Sequence, residues 1–362
     1  MLHGGSRWRA RLDLHVDRAC RWVERACAHP SGVAHDGWSI TSGWRPPTTR
    51  ATAIAAIALC RAARAEACRV DTTLVLRCGG ALLARQRKDG SFEPIGSVEE
   101  EEPATSLSVD AMCALHELTG DDAWRAAASR GALRLLAARA RPTSALALSA
   151  AWSCTADERL WNAAREGLLV AQHRLTSRAK APLSSVREAV DDLDVVVRGM
   201  RRLGDDVEPS PAALAASAAL ISRLEASSGS PSSGYTASGA VTRTGVDHET
   251  NARAADLAYA LDGHHADPRA CYAGDLAVAR LCDRIDVEAW LDGARGSIGA
   301  TPRSFATRTT AATGRFVIAA TSAMQAAVRC AARESGTASS RRAWWSHGAP
   351  SAIPPATRGG AS

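Results

Sequence analysis

Two stretches hold side chains whose type and spacing could do chemistry. Between residues 184 and 203, Arg187, Asp191, Asp194 and Arg198 fall four, three and four residues apart, on one face of a helix. That spacing permits two opposite-charge pairs at i,i+4, behind which Val186, Ala189, Val190, Leu193, Val197 and Met200 form an apolar stripe. Between 247 and 261, Asp247, His248 and Glu249 form the densest titratable cluster, and Glu249, Arg253 and Asp256 continue as a polar stripe. Two carboxylates flanking a glycosidic bond can serve as acid and base. Asp191 or Asp194 facing Glu249 across a cavity is the candidate catalytic pair, with His248 assisting proton transfer. Arg187, Arg253 and Arg308 are candidates for holding an anionic group of the substrate. Asp247 equally reads as a helix N-cap.

Two further stripes run parallel: Ser106, Asp110 and Glu117 on a helix over 104–118, and Arg308, Arg315 and Ser322 on the last helix. In the first long loop, Asp36, Trp38, Trp44 and Arg45 would make a sugar-stacking platform with a carboxylate; the two tryptophans equally read as anchors on the core.

The elements that must position these residues come in pairs. Helical spacing over 11–28 is answered by 48–65, 71–87 by 104–118, 121–138 by 143–153, 156–172 by 184–203, 209–225 by 248–261, and 268–290 by 308–332. Asp121 caps its helix, and Pro209 and Pro211 suit a first helical turn. First members carry one apolar stripe and many arginines, as surface helices do. Second members are alanine-rich and apolar on most faces, as buried helices are. Outer and inner helices alternating about six times predict an all-α fold, an α/α toroid of two concentric rings, over residues 11–332. An open solenoid of helix pairs is the alternative. Residues 1–10 read as a flexible N-terminus, and 333–362, with Trp344-Trp345, as a disordered tail. The ionic residues of the second members would then point into a polar lumen suited to a small-molecule or polysaccharide substrate.

Totals exclude some classes. The 362 residues carry 44 basic and 38 acidic side chains, interspersed rather than clustered, so no nucleic-acid partner is expected. The longest apolar run, Ala51–Cys60, is about half a bilayer span, so no stable membrane insertion is expected. Ten cysteines lie mostly inside helical patterns without a CxxC pair, which predicts a reducing, cytoplasmic location and no disulfide framework. His264 and His265 are adjacent and point apart on any regular element, so neither a metal nor another cofactor is expected.

Arg77-Cys-Gly-Gly-Ala-Leu-Leu83 with Gln86 and Gly90-Ser-Phe92 resembles the glutamine–aromatic repeat of terpenoid cyclases and protein prenyltransferase β subunits. Arg165-Glu-Gly-Leu-Leu169 with Gln172 is similar to its first half, and Asp36-Gly37-Trp38 to its second. The run Leu118-Thr-Gly-Asp-Asp-Ala-Trp-Arg-Ala-Ala127 resembles the six-hairpin toroids that act on uronates and other glycans. Both resemblances imply the toroid fold. The cyclase protonating motif Asp-x-Asp-Asp meets only Asp191-Asp192-Leu193-Asp194, and the Asp-x-Cys plus His zinc site of the prenyltransferases has no match. The expected function is therefore modification of a carbohydrate or uronate-containing polymer, with hydrolysis, β-elimination and C5-epimerisation all open. A terpenoid cyclase-like or prenyltransferase-like protein, and a non-catalytic scaffold of a biosynthetic complex, are the alternatives.

Overall fold

The structure, a computed structural model, describes residues 6–96, 100–138, 144–177, 186–203, 209–227, 229, 234–235, 241–243, 247–265, 268–287, 297–298 and 307–334. The expected tail falls almost wholly outside the described residues. Six hairpins account for the helices: α1 (Ser6–Ala26) with α2 (Thr49–Arg64), α3 (Thr72–Leu83) with α4 (Glu101–Thr119), α5 (Asp122–Ala137) with α6 (Ala145–Thr155), α7 (Glu158–Ser177) with α8 (Val186–Leu203), α9 (Pro211–Ala226) with α10 (His248–His265), and α11 (Pro268–Val287) with α12 (Thr310–Glu334). Helix α1 starts inside the segment read as flexible, since no glycine or proline interrupts the chain after Gly5. Helix α4 starts before the expected Ala104, because Pro103 is tolerated in a first turn whose N–H groups are unpaired anyway. Asp121 caps α5 as the sequence signals, accepting from Ala123 N at 2.8 Å; Pro211 opens α9 as expected, while Pro209 lies before it, and Ser210 between them is the cap, accepting from Ala213 N at 3.2 Å.

The even-numbered helices form a closed inner ring. Helix α2 packs on α4, α4 on α6, α6 on α8, α8 on α10, α10 on α12, and α12 back on α2. That last contact separates a toroid from an open solenoid. Alanine makes the ring possible: every residue from Ala51 to Cys60 of α2 is buried, and small side chains let helices touch on both flanks. The larger members Ile54, Leu59, Met112 and Leu115 fill the gaps, each worth about 1.5–3 kcal/mol of burial.

Short strands dress the loops. β1 (Gly37–Ser39) pairs antiparallel with β2 (Gly43–Trp44) and with β5 (Thr307–Thr309), while β3 (Gly234–Tyr235) pairs with β4 (Val241–Arg243). The first sheet ties the opening hairpin to the closing one. Arg308, expected on the last helix, instead lies on β5 opposite Trp38, because β1 supplies backbone partners just before α12 begins. Thr310 extends the tie: its N–H donates to Asp36 O at 3.0 Å and its hydroxyl to His35 O at 2.5 Å.

The glutamine–aromatic motif fastens neighbouring outer helices. Gln86 donates to Ala127 O of α5 at 2.9 Å and to Gly90 O at 3.3 Å, and accepts from Arg130. Phe92 is buried beside it. Gly90 has φ +91°, and a Cβ there would lie 2.3 Å from the Arg130 carbonyl oxygen. Gly90→Ala thus meets both backbone strain and a backbone collision, and is expected to cost about 2–3 kcal/mol. A thermal midpoint within a degree of wild type would show that the turn relaxes instead.

Candidate functional site

Helix α2 carries charge only at Arg50, Arg61 and Arg64, and since the helix is otherwise buried these reach into the lumen. Each meets a carboxylate from another inner helix: Arg50 meets Glu249 of α10, Arg61 meets Asp256 of α10 at 3.6 Å, and Arg64 meets Glu117 of α4. Helix α8 supplies the centre. Asp194 accepts from Arg198 one turn along its own helix and from Arg253 of α10 at 3.2 Å; Asp191 accepts from the same Arg253. Arg198 continues to Asp256 at 2.5 Å, which also accepts from Ser322 of α12 at 2.6 Å. Isolated buried charges are costly, so a lumen this ionic must be paired throughout.

The ladder opens at one end into a cavity of about 300 Å³ lined by Asp36, Arg50, Arg187, Asp247, Glu249, Thr250, Arg253, Thr309 and Ala311. These residues lie near the N-terminal ends of α2, α8, α10 and α12, whose dipoles favour negative charge there. At the other end Arg61, Arg64, Asp110, Glu117 and Arg202 surround a recess of about 30 Å³, room for roughly one water.

Electrostatics separate the carboxylates. Burial disfavours ionised Glu249, but the guanidiniums of Arg50 and then Arg315 outweigh it and hold its pKa below the ordinary glutamate value. Burial likewise opposes ionisation of Asp194, whose side chain is 4% exposed, yet Arg198 and Arg253 hold its pKa far below the usual carboxylate range. Burial, with Arg253 adding repulsion, brings Arg315 down to about 10; its Nε sits 4.0 Å from Glu249. With both carboxylates depressed on folding, they stabilise the fold above the ordinary carboxylate pKa, and this is lost as pH falls through the folded values. Denaturant midpoints are expected to drop on acidification below about pH 4, with a shallower slope in Asp194→Asn. An unchanged slope would mean that the ladder titrates elsewhere.

Of the residues singled out in the sequence, Asp36, Arg187, Asp247, Glu249 and Arg253 border the cavity. Asp194 does not: it is sealed between two arginines, and Asp191, 37% exposed, is held by Arg253. Helices α8 and α10 are ring neighbours, so Arg253 bridges their acidic residues to each other rather than leaving them opposed across open space. Of the two expected i,i+4 pairs on α8 only Asp194–Arg198 forms. Among the described residues nothing bonds or pairs with exposed Arg187. His248 is 5% exposed and is not among the residues lining the cavity, although Asp247, Glu249 and Thr250 on either side of it are. Asp247 caps α10, accepting from Thr250 N at 2.7 Å and Thr250 Oγ1 at 2.8 Å. Trp44 is wedged between Trp22, at 5.4 Å, and His35, stacked at 5.2 Å. Trp38 packs on the core, so both tryptophans anchor the loop and neither lines the cavity. Arg45 engages Asp36 at 3.1 Å. Asp110 pairs with Arg202 at 3.3 Å at the far end, apart from the cavity.

Arg50 is the residue that sequence reasoning missed. Its signal was being one of few charges on an otherwise apolar helix, with Arg61 three turns further on the same face. No aromatic side chain lines the cavity among the described residues. Nor is any described helix long and apolar enough to cross a membrane.

No protein-family model matches the sequence, and no curated protein does. Solved structures do match in fold. The chain is similar to cellobiose 2-epimerase from Spirochaeta thermophila (TM-score 0.68, 15% identity, 89% of this chain and 97% of that one). It is also similar to an unsaturated glucuronyl hydrolase specific for heparin (TM-score 0.64, 12% identity, 87% and 97%). A type II terpene cyclase from Scytonema shares the architecture at TM-score 0.57 and 13% identity, over 88% and 99%. The fold is therefore that of the α/α toroids.

Proposed function

We propose that this chain is an enzyme acting on an acidic sugar, abstracting the proton α to a uronate carboxylate, as an epimerase or a lyase does. The observation carrying the proposal is Arg187, an exposed cation at the cavity whose charge no described residue balances, beside the ionised Glu249. The substrate carboxylate docks on Arg187, helped by the positive ends of four inner helices. Glu249 is the base that takes the α-proton, while the guanidiniums steady the negative charge that develops on the carboxylate. In the empty site the arginines make Glu249 a weak base. An incoming carboxylate competes for Arg50 and so raises the basicity of Glu249 as substrate binds. Hydrolysis fits less well, because it needs a protonated carboxyl donor and both Asp194 and Glu249 are held ionised. The sugar class draws further support from fold neighbours named for cellobiose epimerisation, glucuronyl hydrolysis and mannose isomerisation.

The test is NMR in D₂O with glucuronate-containing oligosaccharides and their neutral counterparts. Loss of the H5 signal, or appearance of an unsaturated product, is expected only with the acidic set and is expected to vanish in Arg187→Ala. Equal binding of neutral and acidic sugars by titration calorimetry, with no exchange at C5, would overturn the proposal and leave the scaffold reading.

A further inference from the structure

Nine described cysteines are present as thiols, and six of them sort into three couples. Cys20 of α1 lies in hydrogen-bonding contact with Cys68 in the α2–α3 linker, Cys27 beyond α1 with Cys78 of α3, and Cys113 of α4 with Cys154 of α6. The partners stand 41 to 51 positions apart in the chain, so no local spacing creates the couples; helix packing does. Exposure within them is uneven. Cys68 and Cys154 are half-buried, while Cys20, Cys113, Cys27 and Cys78 are buried.

We propose that Cys20–Cys68 and Cys113–Cys154 are reversible disulfide sites, each with an accessible attacking thiol and a buried resolving thiol. The co-reactant is a small disulfide of the glutathione class. Cys68 as thiolate attacks one sulfur of that disulfide and expels a thiolate, giving a mixed disulfide on Cys68. Cys20 then attacks the Cys68 sulfur, its proton passing to the second departing thiolate. In sum, two protein thiols are oxidised to one disulfide, and one small disulfide is reduced to two thiols. Cys154 and Cys113 follow the same course. Exposure sets the order of events: Cys68 and Cys154 are the half-buried members of their couples, so an external disulfide meets them first and the buried partner resolves. Cys27–Cys78 has no half-buried member, so an external disulfide does not reach it in the folded chain. This refines the expectation of no disulfide framework: in a reducing medium both couples stay as thiols, and oxidation closes two links. Cys20–Cys68 joins the first outer helix to the linker ahead of the second hairpin, and Cys113–Cys154 joins two members of the inner ring.

The test incubates the full folded chain with oxidised glutathione, quenches with acid, alkylates after denaturation, and maps unreduced peptides by mass spectrometry. Expected are cross-linked peptides Cys20–Cys68 and Cys113–Cys154, reversed by dithiothreitol, with Cys27 and Cys78 still alkylated. Cys68→Ser is expected to abolish the first link and leave the second at wild-type yield. Persistent glutathione adducts on Cys68 and Cys154, scrambled links among other cysteines, or complete alkylation of Cys20 and Cys113 would overturn the proposal. Because the readout is covalent, it is independent of any sugar activity.

Discussion

Replacing Asp194 by alanine is expected to cost about 3–5 kcal/mol, the range measured when one partner of a buried ion pair is removed. The side chain is almost wholly enclosed and neutralises two guanidiniums, Arg198 and Arg253. Without it those cations face each other across α8 and α10 in low dielectric, and neither can leave for water without opening the ring. The partners then lose their own geometry. Arg198 also serves Asp256, and Arg253 also serves Asp191, so the defect spreads to both neighbours. Chemical denaturation should register it as a lower midpoint with the slope retained. Asp194→Asn keeps the shape and some hydrogen bonding and is expected to fall in between. A loss below about 1 kcal/mol for the alanine variant would place the pair in the class of solvated ion pairs, contrary to its burial.

The second large effect concerns turnover. Glu249→Gln preserves the volume and one acceptor for Arg50 but cannot take a proton, so C5 exchange is expected to fall about 10²–10⁴-fold, the usual contribution of a positioned base. Binding of the acidic sugar is expected to hold or tighten, since one negative charge leaves a cavity that receives another. Loss of binding together with loss of exchange would mean that Glu249 only shapes the site. Unchanged exchange in a folded Glu249→Gln protein would remove it from the chemistry altogether.

Most of the architecture was legible because it is written in local periodicity. The six hairpins, the alanine-rich second members, the cap at Asp121 and the proline at the start of α9 follow from spacing and residue type within a few turns. Partners on neighbouring ring helices are of another kind. The spacing on α8 allowed Arg187 to pair with Asp191, yet Asp191 is taken by Arg253, about sixty residues further along the chain. Competition of that sort is decided by ring closure, which no window of one helix contains. The aromatic loop fails for a related reason: Trp44 has the type and exposure pattern of a sugar platform, but Trp22 on the first helix and His35 already pack against its ring. His248 shows the limit of adjacency: it is buried in the ring while Glu249, the next residue, lines the cavity.

The contact of α12 with α2, reinforced by Thr310 on the backbone of residues 35 and 36, has a consequence for biosynthesis. A stack with free ends can assemble repeat by repeat as it leaves the ribosome. Here the flank of α2 that awaits α12 stays bare until the sixth hairpin has been translated, tens of seconds at roughly 5–20 residues per second. The nascent polypeptide carries an uncovered alanine–isoleucine flank throughout that interval.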